Sequence, residues 1–200
     1  TASLVAPPGP LCQNAPLTFT NASPTGFSYL WDFGTGGGFV NLGPGPKTNI
    51  YTTPGTYTVQ LAAFIPGAGA ACTSTVQVVV TILPSPTASF VNTPTVGCNV
   101  LNNVVFNESS IGAVSWSWNF GNSNTSNLQI PPNQNYPAPG AYVVSLSVTG
   151  ANGCVNTKTA SIIVHPNPIA SFTPTSTCVG SVTSFSSTSS RAPSWSLRSS

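Results

Sequence analysis

Two stretches of the chain alternate apolar and polar residues with the period of two that marks a half-buried strand. They are PGTYTVQLAA (54–63) and PGAYVVSLSV (139–148), and each opens with the turn signal Pro-Gly. The apolar positions are Tyr57, Val59, Leu61 and Ala63 in the first stretch and Tyr142, Val144, Leu146 and Val148 in the second. The sequence therefore predicts one strand that occurs twice.

Alternating aromatic residues precede each of these strands, in SYLWDFGTG (28–36) and SWSWNFGNS (115–123). Alternation places them on one face of a strand, so we interpret them as core residues. The interpretation covers Tyr29, Trp31, Trp116 and Trp118, together with Tyr57 and Tyr142 of the strands that follow. The alternative is that some of these rings are exposed platforms that stack on sugars.

The similarity extends well beyond these motifs. The opening phrase TASLV (1–5) returns as TASFV (87–91) and IASF (169–172), so the period is about 82 to 86 residues. Short strand patterns separated by Gly, Pro, Asn and Ser fill each copy, and no helical periodicity occurs. We therefore predict an all-β sandwich in residues 1–84, a second in 85–167, and a partial third in 168–200.

The motifs WDFG (31–34), PGTYTVQL (54–61) and the closing strand TVQVVVTIL (75–83) resemble the PKD (polycystic kidney disease) repeat, an immunoglobulin-like sandwich. Its cysteine-containing form is similar to repeats of large secreted surface proteins of bacteria, particularly Bacteroidetes. The resemblance implies tandem immunoglobulin-like (PKD-type) sandwiches in an extracellular or cell-surface protein. Thr35-Gly36 and Asn122-Ser123 depart from the Asp-Gly that often follows this motif in the family.

The five cysteines occupy equivalent places in the repeats, and no C-x-x-C pair occurs. In the immunoglobulin-like sandwich of that family, the strand after the first cysteine and the strand before the second cysteine are neighbours. The resemblance therefore implies two disulfides within repeats, Cys12–Cys72 and Cys98–Cys154, with free buried thiols as the alternative. Cys178 is left over, either as a free thiol or as a bridge to another subunit.

The chain is almost uncharged, with four Lys plus Arg, two Asp plus Glu and one His. It lacks the basic stripe that binds phosphates, so we expect no nucleic acid partner. No apolar run reaches the length of about eighteen residues that spans a bilayer, so we expect no membrane span. We predict a surface of hydroxyl and amide groups, on which Asn21, Asn107 and Asn124 are candidate glycosylation sites of a glycoprotein.

Candidate catalytic groups are few and scattered. Asp32 and Glu108 fall in different repeats, and His165 falls in a linker, so no acid–base pair is expected. Asp32 is interpreted as a carboxylate that caps a turn. Neither joint between repeats carries the carboxylates that bind calcium in extracellular arrays. We therefore expect no enzyme, no metal site and no cofactor.

The partial third repeat supplies only the first strands of a sandwich. Half a sandwich leaves apolar residues facing water beside an open strand edge. We predict that Phe172, Phe185, Trp195 and Leu197 contact another subunit and link copies head to tail into a filament. The alternative is that residues 169–200 fold back on the second repeat.

Two functions remain. The first is a non-catalytic extracellular structural protein, the building block of a surface filament, sheath or adhesin stalk that associates with itself. The second is an accessory module of a secreted hydrolase that binds glycans or polysaccharide. The near absence of charge favours the first, since neutral polar faces pack against their own copies without repulsion.

Overall fold

The computed structural model describes residues 1–67, 72–175, 178–180 and 182–191. Across these residues the regular structure is β-strand, with no α-helix. The strands of the first repeat are β1 Leu4–Val5, β2 Pro16–Asn21, β3 Ser28–Asp32, β4 Val40–Asn41, β5 Lys47–Ile50, β6 Gly55–Phe64 and β7 Thr73–Ile82. Those of the second repeat are β8 Phe90–Thr93, β9 Val96–Cys98, β10 Leu101–Glu108, β11 Ser115–Asn119, β12 Thr125–Ser126, β13 Gln134–Tyr136, β14 Gly140–Thr149 and β15 Val155–His165. Two short strands follow, β16 Phe172–Pro174 and β17 Phe185–Ser187.

The chain forms two compact units whose limits differ from the limits of the sequence repeats. Unit 1 comprises Thr1–Ser89, Ser109–Trp116 and Ser147–Thr157. Unit 2 comprises Phe90–Glu108, Ser117–Leu146 and Lys158–Ser200. Unit 1 therefore contains the whole first repeat and one end of the second repeat.

Unit 1 contains a sandwich of two sheets. One sheet has the strand order β1-β2-β5, and the other has the order β4-β3-β6-β7. Strands β6 and β7 form a ten-pair antiparallel hairpin from Gly55↔Ile82 to Phe64↔Thr73. Side chains from both sheets meet in a core of Leu17, Phe19, Tyr29, Trp31, Tyr51, Val59, Leu61, Ala63, Val80 and Ile82. The predicted all-β sandwich is confirmed.

The sheets of the second repeat have the orders β13-β10-β8 and β12-β11-β14-β15-β9. Strand β9 runs parallel to the end of β15, with Cys98 opposite His165. The buried residues of unit 2 include Phe90, Val104, Phe106, Trp118, Phe120, Tyr136, Val144, Leu146, Ile162 and Val164. Phe106 lies at the centre of their aromatic cluster, 5.7 Å from Trp118 and 5.0 Å from Phe120 between ring centroids.

Two equivalent tryptophans, one in each repeat, have the same environment. Trp31 is fully buried and stacks on Phe33 with 5.9 Å between ring centroids. Trp118 stacks on Phe120 at 5.8 Å. Each indole Nε1 donates to a backbone carbonyl of a following loop, at 3.2 Å in the first repeat and 3.0 Å in the second. The buried ring therefore keeps its polar atom satisfied, as buried indoles require.

A tyrosine fixes the start of the long strand in each repeat. Tyr57 donates its hydroxyl to the Thr53 carbonyl at 2.8 Å, and Tyr142 donates to the Ala138 carbonyl at 2.8 Å. A tyrosine hydroxyl bonded to the backbone a few residues upstream is the tyrosine corner of immunoglobulin-like sandwiches. Both Pro-Gly-x-Tyr motifs therefore fold in the same way.

The glycine of the W-x-F-G motif is required by a close backbone contact. Gly34 has φ +72°, and a Cβ added there would lie 2.6 Å from the Thr58 carbonyl oxygen. Gly121 of the second repeat has φ +73° and the same 2.6 Å clash with the Val143 oxygen. In the first repeat Asp32 supports this turn, because its Oδ1 accepts a hydrogen bond from Gly34 N at 2.8 Å.

We expect Gly34→Ala and Gly36→Ala to differ in their effect on stability. Gly36 also has a positive φ, +88°, but open space lies where its Cβ would be. Gly36→Ala should cost about 1 kcal/mol from backbone strain alone, whereas Gly34→Ala should cost about 2–4 kcal/mol because the clash adds to the strain. Urea unfolding measures both variants, and equal losses would contradict the close contact.

We also expect the protein to lose stability in alkali. Burial raises the pKa of Tyr136 to about 12, with the nearby Tyr142 as a lesser cause, and burial raises the pKa of Tyr51 in the same direction. The unfolded chain ionises these phenols near pH 10, while the folded chain retains their protons. Their contribution to stability is therefore complete below about pH 10 and is lost as the pH rises toward 12.

The variant Tyr51→Phe/Tyr136→Phe provides the control for this dependence. It is less stable at neutral pH, since each hydroxyl donates to a backbone carbonyl. Its free energy of unfolding should nevertheless fall less steeply above about pH 10 than that of the wild type. Identical slopes in urea titrations across this range would show that these tyrosines do not cause the loss.

Candidate functional site

The feature of unit 1 with the clearest chemical role is a disulfide between Cys12 and Cys154. The two cysteines are separated by 142 residues in sequence, and their Cα atoms lie 5.6 Å apart. Cys12 belongs to the first repeat and Cys154 to the second, and both lie in unit 1. The covalent bond thus connects the two sequence repeats.

The expected Cys12–Cys72 bridge is wrong, because strand β7 separates these two residues. The backbone of Cys12 pairs in a parallel β-bridge with Leu83, which immediately follows β7. Cys72 immediately precedes β7. An extended strand rises about 3.3 Å per residue, so the eleven steps from Cys72 to Leu83 span about 36 Å. A disulfide requires Cα atoms within about 7 Å.

The expected Cys98–Cys154 bridge is wrong for the same reason. Cys98 lies opposite His165 at the end of β15, and Cys154 immediately precedes β15. The eleven steps from Cys154 to His165 again span about 36 Å. Cys72, Cys98 and Cys178 are free and exposed thiols.

A tight turn presents Cys154 to its partner. Gly150 N donates to the Cys154 carbonyl at 2.8 Å, and Gly153 N donates to the Gly150 carbonyl at 2.9 Å. Gly153 has φ +81°, and a Cβ added there would contact the Pro10 ring at 3.6 Å. The Gly-Cys dipeptide therefore combines a left-handed backbone position with a close approach to the segment that carries Cys12.

Side-chain amides reinforce this joint. Asn152 Nδ2 donates to the Pro84 carbonyl at 2.8 Å, and its Oδ1 accepts from Cys154 N at 3.1 Å. Asn156 Oδ1 accepts from Ala88 N at 3.0 Å. Sequence reasoning did not single out Asn152 and Asn156. The signal that could have identified the joint is the equal spacing of eleven residues in both repeats, from Cys72 to Leu83 and from Cys154 to His165.

The remaining polar candidates take part in local hydrogen bonds. Asp32 caps the turn at Gly34, and Glu108 Oε2 accepts from Gln129 Nε2 at 3.2 Å. His165 is exposed, and its backbone oxygen accepts from Asn99 N at 2.6 Å. Among the described residues no group of three or more His, Cys, Asp or Glu side chains is placed to hold a metal ion.

The aromatic candidates fall into two classes. Tyr29, Trp31 and Trp118 are buried in the core. Tyr57 and Tyr142 are partly buried at the tyrosine corners, and Trp116 is partly buried with its Nε1 atom unpaired.

The three candidate glycosylation sites differ in environment. Asn21 is partly buried and donates through Nδ2 to the Pro44 carbonyl at 3.0 Å. Asn124 is exposed, but its Nδ2 is bound to Gln134 Oε1 at 2.9 Å. Asn107 is exposed on β10. Of the three, Asn107 therefore has the most accessible amide.

The described residues between 169 and 191 include a small apolar surface in unit 2. Phe172 on β16 and Phe185 on β17 are 56% and 46% exposed and pack edge to face with 5.6 Å between centroids. Val179 and Val182 are also exposed. The predicted contact residues Trp195 and Leu197 lie outside the described residues. Within the described chain, no helix has the length and apolarity needed to cross a membrane.

Comparison with known proteins agrees with this architecture. A model of the PKD domain matches residues 1–78, and a second model with the same description matches residues 83–164. No curated protein matches the chain. PKD domains are non-catalytic immunoglobulin-like modules.

Solved structures of single PKD domains resemble parts of the chain. The PKD1 domain of the Vibrio cholerae metalloprotease PrtV is 29% identical, over 40% of this chain and 98% of that one, with a TM-score of 0.35. The PKD1 domain of Vibrio anguillarum Epp is 30% identical, over 42% of this chain and 96% of that one, with a TM-score of 0.35. From the two family matches, the chain belongs to the PKD domain family and carries two PKD domains in tandem.

Proposed function

We propose that this chain is a non-catalytic structural module of an extracellular or cell-surface array, in which successive PKD repeats are cross-linked by disulfides. The observation that carries the proposal is the Cys12–Cys154 bond between residues of two repeats. Disulfides persist in oxidising, extracellular compartments. This assignment agrees with the resemblance to cysteine-containing repeats of secreted bacterial surface proteins, and each domain boundary proposed here, at residues 84 and 167, falls at a proline-containing joint.

The position of the bond suits a protein that carries tension. Force applied to the two ends of the chain passes through residues 1–12, the Cys12–Cys154 bond and residues 154–200. The segment between the two cysteines carries no force, because the disulfide connects its two ends and cannot lengthen. Most of both PKD domains are therefore protected from mechanical unfolding while the disulfide is intact. A filament, sheath or adhesin stalk requires this property.

Polysaccharide binding, as in an accessory module of a secreted hydrolase, is the competing function. A binding platform for sugars needs exposed aromatic faces. Burial leaves Tyr29, Trp31 and Trp118 without such a face. The other three candidates, Tyr57, Trp116 and Tyr142, are partly buried. The arrangement of the aromatic residues therefore favours the structural role.

Self-association is the second element of the proposal. The exposed Phe172 and Phe185 lie on a two-stranded sheet that pairs with no further strand among the described residues, and exposed strands of this kind pair with other chains. The low charge of the chain adds little electrostatic repulsion between copies. We propose that this surface of residues 169–191 contacts another copy and joins chains head to tail.

Single-molecule pulling of the full chain by its ends tests the mechanical role. At about 3.5 Å per residue, the 142-residue separation of the cysteines corresponds to about 500 Å of contour length. The oxidised protein should unfold without this extension, and the reduced protein should extend by the additional length. Cys12→Ser/Cys154→Ser should behave as the reduced protein without reductant, whereas the matched control Cys72→Ser/Cys98→Ser should behave as the oxidised wild type. If the wild type releases the full length in oxidising buffer, the mechanical role is excluded.

Sedimentation velocity and electron microscopy test self-association. The wild type should form concentration-dependent oligomers, and Phe172→Ser/Phe185→Ser should shift it to monomers because the apolar contact is lost. The control Val79→Ser/Val143→Ser removes two other exposed apolar side chains, 61% and 59% exposed, and should associate as the wild type does. A monomeric wild type at every concentration, or equal loss of association in both variants, contradicts the proposed contact.

A further inference from the structure

The three asparagines of N-x-Ser motifs differ in the hydrogen bonds of their side chains. Asn21 is held at both ends, because its Nδ2 donates to the Pro44 carbonyl at 3.0 Å and its Oδ1 accepts from Ser23 N at 2.9 Å. Asn124 Nδ2 donates at 2.9 Å to the side chain of Gln134, which is buried. A sugar on either nitrogen would compete for space with a hydrogen bond of the folded chain.

Asn107 lacks such constraints. It is exposed near the end of β10, and its side chain makes no hydrogen bond to the described part of the chain. Alternate side chains of a strand share one face, so Asn107 lies on the outer face of its sheet with Val105. Across the strand pair it lies directly opposite Val91 of β8. A sugar on Asn107 would therefore displace no hydrogen bond of the fold.

The surface around the Asn107 amide is apolar. Val91 is 60% and Val105 is 39% exposed, and opposite side chains of paired strands lie about 5 Å apart at their Cβ atoms. A groove of about 320 Å³ also includes this asparagine, and it is lined by Phe106, Asn107, Glu108, Gln129 and Ile130. Ile130 is 82% exposed. Three exposed apolar side chains thus lie around one exposed amide.

We propose that Asn107 carries an N-linked glycan whose first sugar lies in this groove and covers the adjacent apolar side chains. The triplet Asn107-Glu108-Ser109 is an acceptor motif for such a glycan. The groove is at the lower end of the range of small-molecule sites, about 300–1,000 Å³, which suits one sugar ring. Because the sugar is covalently attached beside the groove, it binds there as an intramolecular group at high effective concentration. The inference rests on the extracellular placement in the proposed function.

The attachment reaction forms one bond and breaks one. The co-substrate is an oligosaccharide linked through its first sugar to a lipid diphosphate, and the catalyst is an oligosaccharyltransferase. The Nδ2 atom of Asn107 attacks the anomeric carbon, the bond from that carbon to the diphosphate oxygen breaks, and one amide proton is lost to water. The products are the glycosylated asparagine and the free lipid diphosphate, with no oxidation or reduction.

The glycan supplies what the surrounding surface lacks. The chain has few charged side chains that could keep exposed apolar groups soluble, whereas a glycan is bulky and solubilising. The first sugar removes part of Val91, Val105 and Ile130 from water in the folded state alone. The attached sugar should therefore stabilise the second repeat.

Peptide mass spectrometry of the protein from the cells that produce it tests the modification. Fragmentation should place an oligosaccharide on Asn107 in most molecules, and the peptides with Asn21 and Asn124 should be predominantly unmodified. An unmodified Asn107 overturns the inference, and so does equal occupancy of the three asparagines.

Thermal unfolding tests the contact between the first sugar and the groove. The full chain is secreted from cells that attach N-linked glycans, with Asn21→Gln/Asn124→Gln so that Asn107 is the remaining acceptor. An endoglycosidase then trims the glycan to its first N-acetylglucosamine. This protein should have a Tm about 2–4 °C above that of the same protein with Ser109→Ala, which keeps the asparagine but loses the acceptor motif.

Two further variants show whether the sugar lies in the groove. Ile130→Ser should shrink the Tm difference, because it removes an apolar wall that the sugar covers. The matched control Val143→Ser changes a side chain that is 59% exposed on β14, in the other sheet of the repeat, and should leave the difference unchanged. A Tm difference that is absent, or that Ile130→Ser does not alter, overturns the proposed position of the sugar.

These outcomes are separate from the mechanical role. The pulling experiment depends on Cys12 and Cys154, and neither cysteine is changed in the glycan variants. If Asn107 is unmodified while pulling shows the protected length, the proposed mechanical function remains and only the glycan site is wrong.

Discussion

The last strand of each repeat separates that repeat's two cysteines, and this separation determines how the chain is cross-linked. Strands β7 and β15 are 10 and 11 residues long, and one cysteine lies at either end of each. A distance of about 36 Å prevents a bond within a repeat. The bond that forms, Cys12–Cys154, instead joins cysteines of two adjacent repeats. The disulfide therefore links repeats instead of stabilising a single one.

Each domain is consequently held together by its own core without a disulfide. The core depends on a buried tryptophan that stacks on a phenylalanine, a tyrosine corner, and a glycine turn that packs against the neighbouring strand. These contacts occur in both repeats with nearly the same distances. The disulfide thus lies at the joint, where the side-chain amides of Asn152 and Asn156 provide additional hydrogen bonds.

This division of roles is the basis of the structural function that we propose. A nearly uncharged surface offers no carboxylate cluster for a metal and no acid–base pair for catalysis among the described residues. It also allows close approach of identical copies without electrostatic repulsion. The exposed side chains of Phe172 and Phe185 are the feature through which we propose that copies of the chain associate.

The sequence by itself determined the fold class and the core. Period-two alternation around Trp31 and Leu61 identified buried strand faces, because the side chains of an extended strand point alternately to the two sides of a sheet. The disulfide pairing was not determined by the sequence. Equivalent cysteines permit several pairings, and the resemblance favoured neighbouring strands without regard to which end of a strand each cysteine occupies. Only the tertiary structure, through the parallel pairing of Cys12 with Leu83 and of Cys98 with His165, decided the ends and hence the bond.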